Sequence, residues 1–272
     1  MTRRDAILLT ATAAAAAAQA RKLTAGEIIA RIQKQVAVPW RAETVDTLKS
    51  GTMETPVTGI ATTFMSTLEV LQKAVAEGKN MVITHEPTFY QGDDNTRDTA
   101  TDPTVIAKKA FIEKHNIAIF RFHDHWHMRR PDGIREGMMK ELGWQPGQTH
   151  NTTLKNLAAD VKAKLKIRAI RVIGDPNQPI SKVALDPGYA NLSGAIRALS
   201  TADVLVLGEA REWEVYEYVQ DQIASGAKKS LIVLGHAVSE EGGMKECAAW
   251  LKTFIPELPI AHVPAGEPFW TL

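Results

Sequence analysis

Residues 66–90 read STLEVLQKAVAEGKNMVITHEPTFY. Its first part has the period of an amphipathic helix: Leu68, Leu71, Ala74 and Val75 share one face. Ser66 and Glu69 read as a capping box, and Gly78 closes the helix. The following MVITHE (81–86) is apolar until a histidine and a glutamate appear, and Pro87 then stops the ladder. A strand without polar alternation is buried on both faces, so it belongs to a sheet covered by helices.

The same alternation runs outward in both directions. Further strands are expected at 57–64, 117–122, 169–174, 180–187, 203–208, 231–236 and 260–265. Helices are expected at 24–37, 102–116, 133–142, 152–165, 210–225 and 240–254. Asp102 as N-cap and Pro103 at the first helical position mark one start. Strand–helix alternation argues for α/β layers. GWQPGQTHNTT (143–153) reads as a linker, dividing the chain into an α/β lobe over 21–145 and a second lobe with a closing segment over 146–272.

Of 272 residues, 44% are hydrophobic and the formal net charge is +1, so the charge balance points to no nucleic-acid partner. The single cysteine, Cys247, excludes an intrachain disulfide and a thiolate-rich zinc site. At the N-terminus, Arg3 and Arg4 precede an apolar run and the small-residue pattern Ala18-Gln19-Ala20. That zoning reads as a signal peptide over residues 1–20, of general or twin-arginine type, rather than as an alanine-rich helix of the mature protein, and predicts an exported protein with no membrane span after cleavage. Without cleavage the protein would stay in the cytoplasm.

Potential metal ligands collect at strand ends. His85 and Glu86 end one strand; His123, His125 and His127 follow another in HDHWH; His236 ends LIVLGH, and Glu240 lies four residues on. In an open α/β sheet the carboxyl edge is where ligands bind. Each feature has a bland reading: a histidine at a core rim, or a carboxylate complementing a helix dipole. Three strand ends together, carrying imidazole and carboxylate, make a metal site the better one. His115, His150 and His262 are separate and read as structural or solvated. HDHWH lacks the aspartate before the last histidine that metallo-β-lactamase-like hydrolases carry, and no G-x-S-x-G, P-loop or G-x-G-x-x-G occurs. Were the strand to continue through HDHWH, its three histidines would share a face.

From residue 43 to 90 (ETVDTLKSGTMETPVTGIATTFMSTLEVLQKAVAEGKNMVITHEPTFY), in RAIRVIGDPNQPISKVALDPG, and from ADVLVLGE to KECAAWL, the chain resembles the Nif-three-like family. These are dinuclear-metal-centre proteins, some labelled GTP cyclohydrolase I type 2. The resemblance implies two α/β domains with a metal site between them, two divalent ions (Zn, Mn or Fe) per subunit and a homo-hexamer. It also implies the ligands. His85 and Glu86 stand where the family has two histidines before a proline. His123 matches the histidine of H-T-N-L-D and His127 its aspartate. His236 and Glu240 match the final histidine–glutamate pair. Histidine and carboxylate have exchanged places at 86 and 127, so the inventory of three histidines and two carboxylates is kept. His123 is a further ligand or a partner of one, and His125 has no counterpart and reads as a bystander at the rim. Met65 and Trp213 also depart from the family pattern, with consequences for the pocket. The implied function is metal-dependent hydrolysis of an unidentified small substrate, with Glu240 as the catalytic, bridging carboxylate. The alternative is a non-catalytic metal-binding scaffold.

Overall fold

A computed structural model of the chain describes residues 23–270; the export-signal reading, on residues 1–20, lies outside them. Helix α1 (Ala25–Gln35) leads into β1 (Leu48–Ser50), β2 (Ile60–Thr63), α2 (Leu68–Ala76), β3 (Met81–Thr84), α3 (Pro103–Lys114) and β4 (Ala118–Arg121). Two helices follow, α4 (Asp124–Met128) and α5 (Gly133–Leu142). The chain continues through β5 (Thr152–Thr153), α6 (Leu154–Leu165), β6 (Arg171–Ile173), β7 (Pro179–Ile180), β8 (Val183–Tyr189), α7 (Leu192–Thr201) and β9 (Val204–Glu209). A π-helical turn at Glu212–Tyr216 precedes α8 (Glu217–Ala224), β10 (Ser230–Val233), α9 (His236–Lys252) and β11 (Ile260–His262).

The α/β class is as expected. One sheet has the order β1-β4-β3-β2-β11, the other β6-β10-β9-β8, and β5 and β7 form a small ribbon. In the first, β11, β2, β3 and β4 are parallel and β1 is an antiparallel edge. In the second, β8, β9 and β10 are parallel and β6 is the antiparallel edge. The inner strands β2, β3, β4 and β10 are buried at every position. Apolar clusters lie on both faces of each sheet. The closing strand β11 pairs with β2, so the chain ends in the first sheet after passing through the second.

Helix α9 joins the two bodies. Met244, Cys247 and Leu251 enter the core under the first sheet, and Val238 packs against the core of the second. It crosses α5 so closely that a Cβ on Gly137 would run into the backbone of Gly242 and Gly243. Among the described residues no helix is long and apolar enough to cross a membrane.

Several local expectations shift. The cap of α2 is Thr67, whose hydroxyl accepts from the Val70 N–H at 3.2 Å; Ser66 is buried and donates instead to Thr88 at 2.9 Å. The segment 180–187 divides between β7 and β8, because the Asp203 carboxylate takes the N–H groups of Ser181 and Lys182 at 2.8 Å each. The expected strand at 169–174 is an exposed edge, with Arg171 and Val172 open to solvent. His236 does not end a strand: Gly235, at φ +96°, turns the chain so that α9 begins at His236. The segment after β4 is likewise helical, and the period-two reading of the histidines fails there.

Candidate metal centre

The carboxyl ends of the parallel strands in both sheets deliver the site. Beyond β3, the His85 and Glu86 N–H groups still bond to Phe64 O, at 3.2 and 2.9 Å, so these residues leave the sheet along a fixed path. His85 is fully buried. Beyond β4, His123 caps α4 and His127 lies one turn later, so their rings meet at 4.9 Å between centroids. His236 and Glu240 are one turn apart on α9, with Nε2 and Oε2 3.2 Å apart.

Helical geometry sends His125 the other way. It is fully buried, stacks on Trp40 at 3.7 Å, and uses both ring nitrogens: Nδ1 pairs with Asp46 Oδ2 at 2.6 Å and Nε2 accepts from the Arg41 N–H at 3.0 Å. It has no lone pair left for a metal and lies in the interior, not at the rim.

The other four histidines share one arrangement. Nδ1 faces an oxygen in each: Phe122 O for His85 (3.1 Å), Asp124 for His123 (3.0 Å), Asp132 for His127 (3.0 Å) and Glu209 for His236 (3.1 Å). A carbonyl or carboxylate only accepts, so Nδ1 carries the proton and Nε2 offers its lone pair inward. This is the outer support that metal-binding imidazoles use. His85 Nε2 lies 3.2 Å from His127 Nε2 and 3.4 Å from Glu240 Oε2. Glu86 Oε1 is 3.7 Å from His123 Nε2 and 3.6 Å from His236 Nε2. Its other oxygen is held at 3.3 Å by the buried Arg121, which also donates to His85 O at 3.1 Å.

The donor set fits a cation. Glu240 is 2% exposed, and while His85 and His236 are neutral and protonated at Nδ1 its Oε2 accepts no hydrogen bond, a costly condition for an anionic oxygen. Ligand atoms of His85, His123 and His127 lie within 4.8 Å of one another, as do those of His85, Glu86 and Glu240. The cluster could therefore hold a metal ion. Its appetite for positive charge also shows in the protons. Burial lowers the His236 pKa, but the hydrogen bond and charge of Glu240, with Glu86 and Glu209, outweigh it and raise the value to about 9. At His127 burial is likewise outweighed, here by Asp132 and then by Glu240 and Glu86, and the pKa rises. His85 goes the opposite way: burial, then the charges of His123 and His127, hold it well below the usual imidazole value.

His85, Glu86, His123, His127, His236 and Glu240 thus come together, and His115, His150 and His262 stay outside. His262 pairs with Glu241 at 3.0 Å, His115 lies tilted against Phe111 and His150 meets Trp144 edge-on. Met65 lines a cavity beside His236, while Trp213 is 71% exposed. Sequence reasoning missed the supports. Glu209, at the C-terminal end of β9, follows the same strand-end rule as His85; Asp132 could have been read as the N-cap of α5, which it also is. Gly188, at φ +78°, was not foreseen: a Cβ there would collide with Glu240 Oε1.

Two α/β sheets whose carboxyl edges share a histidine–carboxylate cluster define the class. The model of the Duf34/NIF3 family (NGG1p interacting factor 3) matches residues 24–265, and the chain belongs to that family. A Clostridium perfringens relative named GTP cyclohydrolase 1 type 2 homolog is 23% identical over 71% of this chain and 77% of its own length. One of the same name from Clostridium acetobutylicum is 25% identical over 64% of this chain and 69% of its own. Among solved structures, a Bacillus cereus protein related to NIF3 superposes with a TM-score of 0.75 at 16% identity, covering 92% of this chain and all of its own (100%). A hypothetical protein of Staphylococcus aureus gives 0.73 at 19% identity, with coverage of 92% and 100%. These likenesses show the fold.

Proposed function

We propose that the protein is a metal-dependent hydrolase of a small substrate, with two divalent cations held between its two sheets. The observation that carries this reading is the convergence of four imidazoles, each with Nδ1 facing an oxygen, on two carboxylates: His85, His127 and His236 reach Glu240, and His123 and His236 reach Glu86. His85, His123 and His127 would hold one cation, Glu86 and His236 the other, and Glu240 would face both. Zinc, manganese and iron all suit an imidazole–carboxylate set. Such a pair supplies Lewis acidity, which acidifies water and neutralises charge developing on a substrate.

The chain supplies position. Arg121 grips one oxygen of Glu86 and leaves the other turned toward His123 and His236. Asp124, Asp132 and Glu209 hold three imidazole tautomers, and the Phe122 carbonyl holds the fourth. Glu240, buried and reached by His85 and His236, is the carboxylate we assign to the reacting centre.

The relatives' GTP cyclohydrolase names do not transfer easily. We read residues 1–20 as an export signal, and GTP is a cytoplasmic metabolite. By family likeness we take the chain to assemble as a homo-hexamer.

The test is a metal count per chain on protein purified without chelators, followed by a panel of phosphodiester, phosphomonoester, amide and nucleotide substrates with Mn, Zn or Fe. Wild type is compared with His236→Ala and Glu240→Ala. Activity surviving both substitutions sinks the assignment. Two ions bound without metal-dependent turnover would favour a non-catalytic scaffold.

A further inference from the structure

A cavity of about 440 Å³ opens beside the cluster, with Glu86 and His236 in its wall. That volume is in the range of small-molecule sites. Phe64, Met65, Leu234, Tyr90 and Phe269 give it a mainly apolar lining. Tyr90 and Phe269 are 61% and 65% exposed there. Tyr90 is held at φ +69°, a conformation that costs a non-glycine residue energy and that folds keep where a side chain must be placed. The tail carrying Phe269 is tied down, because Glu267 accepts from the N–H groups of Arg168 and Ala169 at 2.7 and 2.9 Å.

The charges in this wall are unevenly matched. Glu86 is paired with Arg121, Glu209 with His236 and Glu267 with Arg168. Arg171 makes no ion pair among the described residues; its guanidinium lies 5.8 Å from the Tyr216 ring. The cavity thus offers apolar surface, a guanidinium that makes no ion pair and rests only on the Tyr216 ring, and an edge of candidate metal ligands.

We propose that the cavity receives the apolar, aromatic-sized body of an anionic substrate, with the acidic group on Arg171 and the reacting bond at the Glu86–His236 edge. This rests on the hydrolase reading and names the substrate class for that site. Aromatic bodies gain most from such a lining, and a guanidinium is suited to a carboxylate or phosphate in two-pronged contact.

The test uses the metal-loaded full chain and two probes of equal shape, 2-naphthoate and 2-naphthamide, titrated by calorimetry. Wild type should bind the anion about tenfold more tightly than the amide, as a charge-assisted contact allows. Arg171→Gln should reduce that preference to below about twofold, and Met65→Asp should weaken both probes about tenfold. A preference that survives Arg171→Gln would put the carboxylate on the metal ions and overturn the proposal. Absence of saturable binding of either probe to wild type would mean that the cavity is covered, for instance by a second copy of the chain, and overturns it too. Turnover is read separately on the substrate panel. Metal-dependent hydrolysis without the anion preference sinks the substrate class alone; the preference without any turnover sinks the hydrolase reading and leaves a binding pocket.

Discussion

At the scale of single residues, the run from His123 to His127 divides its labour by helical rotation. His123 and His127 face the cluster, and His125 turns inward to Asp46. Asp46 is 3% exposed and accepts from the N–H groups of His123, Asp124 and His125 as well as from the His125 ring. His125→Ala would leave that carboxylate buried without its imidazole. The imidazole is neutral, since its Nε2 accepts from Arg41, so what is lost is a hydrogen bond to a buried carboxylate; we expect a loss of about 1.5–3 kcal/mol in urea unfolding, with metal content per folded chain unchanged. Asp132 makes the opposite prediction. Asp132→Asn keeps a side-chain oxygen for capping α5 but weakens the hold on His127 Nδ1, so metal affinity should fall about 10–100-fold while stability changes little. A competition titration reads the first effect and thermal melting the second.

At the scale of elements, the crossing of α5 and α9 matters most, since α9 carries His236 and Glu240 and α5 begins at the Asp132 cap. Both backbones lie too close at Gly137 for any side chain. Gly137→Ala must push the helices apart, and we expect about 1–3 kcal/mol of destabilisation, as in other overpacked cores. Gly92→Ala, where a Cβ meets nothing, is the control and should stay within about 0.5 kcal/mol. Equal melting temperatures for the two variants would refute the close-packing argument. The same helix buries Cys247 completely, and burial pushes its thiol pKa up. A thiol reagent should therefore modify this residue only upon unfolding.

At the scale of the whole molecule, the cluster links metal, protons and stability. In metal-free protein, His236 titrates at about 9, above the ordinary histidine value of about 6.5. Its contribution to stability is complete below about pH 6.5 and is lost as pH rises through about 9. His85, with its depressed pKa, contributes above about 6.5, and that part is lost as pH falls through its folded value. A cation must displace the His236 proton below pH 9. Affinity should thus rise between pH 6 and 9 by up to about tenfold per unit for each proton released, and proton release should be measurable on titration. Chelation should lower the melting temperature, because an ion that binds only the folded form stabilises it. Affinity that is flat across this range would remove His236 from the ligand set.

Much of this was legible locally. Buried strands announce themselves by largely apolar runs, as in MVIT and SLIV, and polar residues at or just past their carboxyl ends mark the site, so α/β layering and a histidine–carboxylate cluster could be read from the chain, while His125 was set apart only by the family resemblance. Capping at Asp102 was equally local, since its carboxylate needs only the N–H groups of Thr104 and Val105. Other features depended on partners far away. Nothing near HDHWH signals a helix of five residues, which is too short to be stable alone. Its start is held by Asp46, 77 residues earlier than the N–H it first accepts from. Only the packed structure could therefore decide that the strand period stops at His123. The same holds for the pairing of β11 with β2 and for the setting of Glu209 behind His236. Periodicity and strand ends are encoded in neighbouring residues; which imidazoles face the cluster is decided by carboxylates and backbone groups brought together from distant parts of the chain.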